Sequence, residues 1–240
     1  MQRYFVEEQE KDYLILKNED LHHIKNVMRN KIGDNIECIY HEQLYICELE
    51  SLDNTKVKII SKIEENNELN IDVTIAIALV KEQKMDLILQ KLTELGVNRI
   101  IPLKMERSIV KIDDKKFMKK QERWTKICKE ASEQSKRNKI PLIEKLTSLS
   151  ELSKETFDKR FVCSTTEKNN YLSHYLKKEL KGKKILFVIG PEGGITQDEL
   201  ITLQNAGMKS ISLGDRIMRV ETAAIYVASI INYCSLEVLT

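Results

Sequence analysis

Two glycine-containing turns near the C-terminus carry residue types able to hold a ligand: Gly190-Pro191-Glu192-Gly193-Gly194, and Leu213-Gly214-Asp215-Arg216-Ile217-Met218-Arg219-Val220-Glu221-Thr222-Ala223. Gly190, Gly193, Gly194 and Gly214 have no Cβ, so backbone N–H and C=O groups can approach a bound molecule closely. Arg219 and Glu221, at the mouth of the second turn, add a cation and a carboxylate. Two phosphate-binding schemes fail. A phosphate loop ends in Gly-Lys-Ser/Thr, which is missing, and Glu192 would set a carboxylate inside an anion cradle. A dinucleotide fingerprint requires G-x-G-x-x-G, which G-P-E-G-G lacks.

The elements around these turns explain how they could work together. Residues 185–189 form a short apolar run suited to a buried parallel strand, and residues 210–213 form a second. Between them lies a helix opened by a Thr196/Glu199 capping box and followed by Gly207. Strands joined by such a crossover form a βαβ unit, and ligands of open α/β sheets bind outside the carboxyl ends of the strands. Both turns are expected at that edge.

The chain divides near Asn66-Asn67-Glu68-Leu69-Asn70. Before this stretch come short strand patterns at 2–6, 13–17, 35–40, 43–50 and 56–63, with a helix over 19–28, the pattern of a small barrel. After it, the spacing predicts a strand over 71–79 and an amphipathic helix over 83–95. That helix has Met85, Ile88, Leu89, Leu92 and Leu95 on one stripe and is stopped by Gly96. Further strands at 97–103, 159–163, 184–189 and 209–213 alternate with helices, which reads as an α/β domain.

Composition narrows the class. No apolar run approaches a membrane span, and no signal peptide opens the chain, so a soluble cytoplasmic protein without a membrane partner is expected. The five cysteines show no C-x-x-C spacing and the four histidines no ligand spacing, so neither a metal site nor a disulfide framework is expected. The net charge of +2 is unevenly spread. Residues 1–70 hold 9 basic and 15 acidic side chains, whereas residues 104–139 hold 13 basic and 6 acidic, along a loop and a helix expected over 116–137. Most of these lysines read as a solvated helix face. Arg107, Arg123 and Arg137 are the better phosphate ligands, because a guanidinium binds phosphate bidentately.

These residues resemble a known family. G-P-E-G-G followed by L-G-x-R-I-x-R-x-E-T-A is similar to the C-terminal signature of the SPOUT-class 16S ribosomal RNA uridine-N3 methyltransferases, RsmE type. The similarity continues through Lys81-Glu82-Gln83-Lys84-Met85-Asp86, Lys91-Leu92-Thr93-Glu94-Leu95-Gly96-Val97, Arg107-Ser108, Arg123-Trp124 and residues 130–137. It reaches Arg3-Tyr4-Phe5, His22-His23-Ile24, Met28-Arg29 and Gly33-Asp34, nearly the whole chain. Asp215, Met218 and Val220 depart from the commoner family residues and bear on the shape of the pocket.

The resemblance implies a PUA-like RNA-binding barrel over residues 1–70 and, over 71–240, a SPOUT α/β domain with a deep C-terminal trefoil knot that holds S-adenosylmethionine. It implies cofactor contacts from Ser164, Ile189, Gly190, Glu192, Gly193, Gly194, Leu213, Gly214, Ile217, Met218 and Ala223, and RNA contacts from Arg3, Arg29, Lys31, Arg107, Arg123 and Arg137. The expected partners are 16S rRNA in the small ribosomal subunit and a second copy of the chain. The last helix is suited to that copy, with Ala223, Ala224, Ala228 and Ser229 for close approach and Ile225, Val227, Ile230 and Ile231 for apolar area. Methylation at uracil N3 requires loss of the N3 proton. Arg219 is placed to stabilise the resulting charge, and Glu221 either to take the proton or to orient Arg219; Glu192 is another possible base or a cap for cofactor amino groups. An RNA-binding module that keeps the fold without activity is the alternative, and the intact Gly193, Gly194, Gly214, Arg219 and Glu221 argue against it.

Overall fold

A computed structural model describes residues 1–176 and 180–237, apart from the side chains of Asp114 and Glu237. It resolves into two units: Met1–Glu68 together with Lys129–Lys139, and the remaining described residues.

The first unit is a six-stranded mixed sheet. In chain order its strands are β1 (Arg3–Phe5), β2 (Glu8–Glu10), β3 (Tyr13–Ile15), β4 (Asn35–Tyr40), β5 (Gln43–Glu48) and β6 (Lys56–Ile63), hydrogen-bonded in the order β1-β4-β5-β6-β3-β2. β1 and β4 are parallel and the other pairs antiparallel. β2 is absent from the sequence pattern because Glu8, Gln9 and Glu10 are all exposed; the hairpin turn through Lys11 (φ 53°) brings it onto β3. The helix expected over 19–28 splits into α1 (Asn18–His22) and a wider π-helical turn, His23–Met28, ended by Arg29 in the left-handed region. Tyr4, Leu14, Ile24, Ile36, Leu49 and Val57 fill the core.

The second unit is a parallel α/β sheet. Its elements are β7 (Asp72–Ala78), α2 (Glu82–Glu94), β8 (Arg99–Lys104), α3 (Asp114–Gln134), β9 (Leu142–Ile143), β10 (Thr147–Ser148), α4 (Leu149–Leu152), β11 (Lys159–Cys163), β12 (Lys184–Ile189), α5 (Gln197–Asn205), β13 (Lys209–Ile211) and α6 (Val220–Glu237). The order is β10-β8-β7-β12-β11-β13, with β9 also on β8 and every pair parallel. β12 and β13 are joined by α5, whose Thr196/Glu199 capping box forms as expected, but β11 lies between the two strands. α2 buries Met85, Ile88, Leu89 and Leu92 and stops where Gly96 takes φ 84° and the Val97 N–H donates to the Leu92 carbonyl.

α3 supplies residues to both units, up to Cys128 to the second and from Lys129 to the first. It ends before the expected residue 137, because Lys136 turns left-handed (φ 60°) and the Arg137 N–H closes back onto the Ser132 carbonyl.

Candidate active site

Strand register brings the distant site segments to one edge. Cys163 of β11 is paired with Ile189 of β12 on one side and Ile211 of β13 on the other, so Ser164, Gly190 and Ser212-Leu213 leave the sheet side by side at its carboxyl end. Ile189 is also in register with Ile77 of β7, whose chain continues through Leu79 and Val80 into α2. Four consecutive strands in space therefore direct their following segments to the same place, as expected for ligand sites on parallel sheets.

The first turn is tightly fitted. A Cβ on Gly190 would lie 2.5 Å from Ile195 Cγ1, and one on Gly193 would lie 2.9 Å from Arg107 Cβ and 3.2 Å from the Arg107 carbonyl oxygen. Arg107 Nη1 donates to the Gly193 carbonyl at 3.2 Å. Gly194 (φ 77°) and Gly214 (φ 118°) have open space where a Cβ would stand; there the backbone conformation, not crowding, selects glycine. Of the other residues expected to touch the cofactor, Ile189 and Ala223 are buried, Ser164, Leu213 and Met218 half-buried, and Ile217 exposed. The Ser164 hydroxyl is 2.8 Å from that of Thr166.

Arg219 and Glu221 face different surroundings. The Arg219 carbonyl accepts the first bond of α6, from the Ala223 N–H, and its side chain is exposed, with no protein acceptor among the described residues. Glu221, in the first turn of α6, has a buried Oε2 with no hydrogen-bond partner and with Lys84 Nζ 3.5 Å away. The same ammonium lies 3.0 Å from Glu192 Oε1. Hydrogen bonding to Glu192 and the charges of both carboxylates push the Lys84 pKa up. Spacing alone gave Lys84 no role. Its only signal was its place in the Lys81–Asp86 segment, because its partners lie more than a hundred residues away.

Comparison with known proteins places the chain. Residues 67–232 match the RNA methyltransferase domain family and residues 16–60 the RNA methyltransferase PUA domain. The ribosomal RNA small subunit methyltransferase E of Bacillus subtilis is 42% identical over 97% of this chain and 96% of its own length. The chain belongs to the ribosomal RNA small subunit methyltransferase E family. Another family member, from Mesomycoplasma hyopneumoniae, is 35% identical over 94% of this chain and 96% of its own. The crystal structure of the family enzyme from Neisseria gonorrhoeae, bound to S-adenosylmethionine, superposes with a TM-score of 0.86 at 26% identity, covering 97% of each chain. The fold is thus that of the family, a PUA-like unit and a parallel α/β methyltransferase unit.

In this family member, the arginines expected at RNA occupy unlike positions. Arg3 is buried at 1% exposure, with Nε donating to Glu37, Nη2 to Glu65 and Nη1 to the Lys136 and Arg137 carbonyls. Arg137 is buried against Glu68, Nη2 at 2.5 Å from Oε2. Both guanidiniums are committed to protein acceptors and hold the first unit together. Arg123 is half-exposed but bonded to Glu82 and, bidentately, to Asp86 on α2. Arg29 and Lys31 are exposed beside exposed Met28 and Ile32. Arg107 is exposed but braces the Gly193 turn.

Of the small residues of α6, the three alanines do not face outward, whereas Ser229 is exposed. Ala223, Ala224, Val227, Ala228 and Ile231 belong to the chain's own core, where α6 packs on α2 and β12. Tyr226, Tyr233 and Leu236 lie on the exposed side, with partly buried Ile230. Among the described residues no helix is long and apolar enough to cross a membrane, and no cluster of three or more His, Cys, Asp or Glu could hold a metal ion.

Proposed function

We propose that this chain is an S-adenosylmethionine-dependent methyltransferase acting on N3 of one uridine of 16S rRNA in the small ribosomal subunit. The supporting observation is the meeting, at the carboxyl ends of β11, β12 and β13, of two glycine turns with Arg219 and Glu221. These residues fit the cofactor: Gly194 and Gly214 leave backbone groups uncovered where a Cβ would otherwise stand. When bound, S-adenosylmethionine supplies a methyl group on a sulfonium. The chain's task is then to position the acceptor nitrogen and adjust its charge. Arg219, exposed and without a protein acceptor among the described residues, balances the charge that spreads onto the uracil carbonyls as the N3 proton leaves. Glu221 takes that proton or orients Arg219.

The order β7-β12-β11-β13, followed by the return of α6 onto α2 and β12, is compatible with a trefoil knot around this site. The exposed side of α6, with Tyr226 and Tyr233, is the surface we assign to a second copy. RNA contacts fall to Arg29 and Lys31 in the first unit and to Arg107 in the second, with Arg3, Arg123 and Arg137 acting through the elements they brace. Mass spectrometry of 16S rRNA from cells with and without this protein tests the reading: loss of one N3-methyluridine is the expected result. Calorimetry should show S-adenosylmethionine binding and no comparable ATP binding; the reverse would reject it.

A further inference from the structure

Three elements meet at one ammonium. Lys84 sits in the first turn of α2, with Glu192 Oε1 of the glycine turn at 3.0 Å and Glu221 Oε2 of α6 at 3.5 Å. The neighbouring acids of α2 are already matched: Glu82 by Lys120 and Arg123, Asp86 by Arg123. Lys84 is thereby left to the two glutamates across from it. Glu221 Oε2 is buried and has no hydrogen-bond donor. Two carboxylates that approach one ammonium repel each other, and the cation between them is what holds them together. Of the other cations here, Arg107 is committed to the Gly193 carbonyl and Arg219 is exposed.

The geometry points to Lys84 as a positioning residue that bridges Glu192 and Glu221, fixing the first turn of α6 against the glycine turn so that the Glu221 side chain stays aimed. This inference rests on the methyltransferase reading for its catalytic meaning, but the clamp itself is a property of the ligand-free chain. It also accounts for a lysine at the N-terminal turn of α2, where the helix dipole by itself disfavours a cation.

Lys84→Met and Lys84→Arg in the full chain test it. With S-adenosylmethionine and small ribosomal subunits, Lys84→Met should lower kcat on the order of tenfold and leave KM for the cofactor within about threefold. Lys84→Arg should restore most of the rate, because a guanidinium can still bridge two carboxylates. Equal losses in the two variants, or a loss confined to KM, would overturn the assignment. A second measurement needs no activity. Competitive acylation of the ligand-free protein should label Lys84 more slowly than exposed Lys115 and Lys119, and Glu221→Gln and Glu192→Gln should each speed its labelling severalfold. Unchanged labelling would overturn the clamp. A wild-type chain that binds no S-adenosylmethionine would instead overturn the methyltransferase reading, and the labelling would still decide the clamp.

Discussion

Gly193 and Arg107 share a space too small for a side chain: a Cβ on the glycine would stand 2.9 Å from the arginine's Cβ and 3.2 Å from its carbonyl oxygen. Gly193→Val must therefore displace the backbone of the turn or of the Arg107 segment, whereas Gly214→Val meets open space but is strained by φ 118°. Both should lose cofactor binding for these separate reasons. A ligand at about 100 times its Kd stabilises a folded protein by roughly 2.7 kcal/mol. Thermal melts with S-adenosylmethionine should show this gain for the wild type and not for either variant; equal gains would move the site elsewhere.

Arg219 is exposed and has no protein acceptor among the described residues, so its removal disturbs little of the fold. If it acts on charge that appears mainly in the transition state, Arg219→Ala should lower kcat on the order of 10² to 10³ and change cofactor affinity far less. Arg219→Lys should recover part of the rate. Single-turnover kinetics beside calorimetry separate these effects, and a loss confined to affinity would contradict the role.

Glu221→Gln distinguishes a base from an orienting group. Should Glu221 accept the proton, raising the pH toward the pKa of uracil N3 should partly rescue the variant, since the substrate then ionises unaided. A defect that stays constant with pH would assign Glu221 to orienting Arg219, with solvent as the proton acceptor.

Glu133 makes stability depend on pH in the unusual direction. Burial is the main cause pushing its carboxyl up to about 7, with Asp20 adding to it. The ammonium of Lys129, 3.6 Å from Glu133 and 2.6 Å from Asp20, opposes the shift without cancelling it. Between the ordinary glutamate pKa and 7, the native state binds more protons than the unfolded chain, so stability falls as pH rises through this window. The loss is at most on the order of 3 to 4 kcal/mol. Glu133→Gln should raise Tm at pH 8 by several degrees and give no gain at pH 4.5; a gain of the same size at both values would refute this account.

Association through α6 should depend on its exposed side. Tyr233→Glu should convert a particle of about twice the chain mass into one of chain mass by light scattering, while changing Tm little, since Tyr233 is 61% exposed. Ala224→Arg should instead unfold the chain, because Ala224 is fully buried in its own core.

Much of this site could be read from residues in order, because local rules place its parts. The apolar runs of β11 and β12, the stripe of α2 and the Thr196/Glu199 box depend on neighbours a few positions away. Burial of Arg3 and Arg137 could not be read this way, since a charged side chain is expected at the surface until its partners are known. Nor could the two-residue strands β9 and β10, which exist only because the edge of β8 offers them partners. Lys84 is the functional case. Its meeting with Glu192 and Glu221 depends on β12 lying beside β7, a pairing of residues separated by about 110 positions that no local period encodes.

The buried guanidinium of Arg3 sets an order on synthesis. Two of its acceptors, Glu37 and Glu65, emerge early from the ribosome, but the Lys136 and Arg137 carbonyls follow only after β7, α2, β8 and α3 have been made. Until then the nascent N-terminal sheet carries a charge whose acceptors are half missing, a state unfavourable to bury. The first unit therefore cannot be finished when its own sheet has been translated: the growing chain must pass residue 139 before its opening strand is fully tied down.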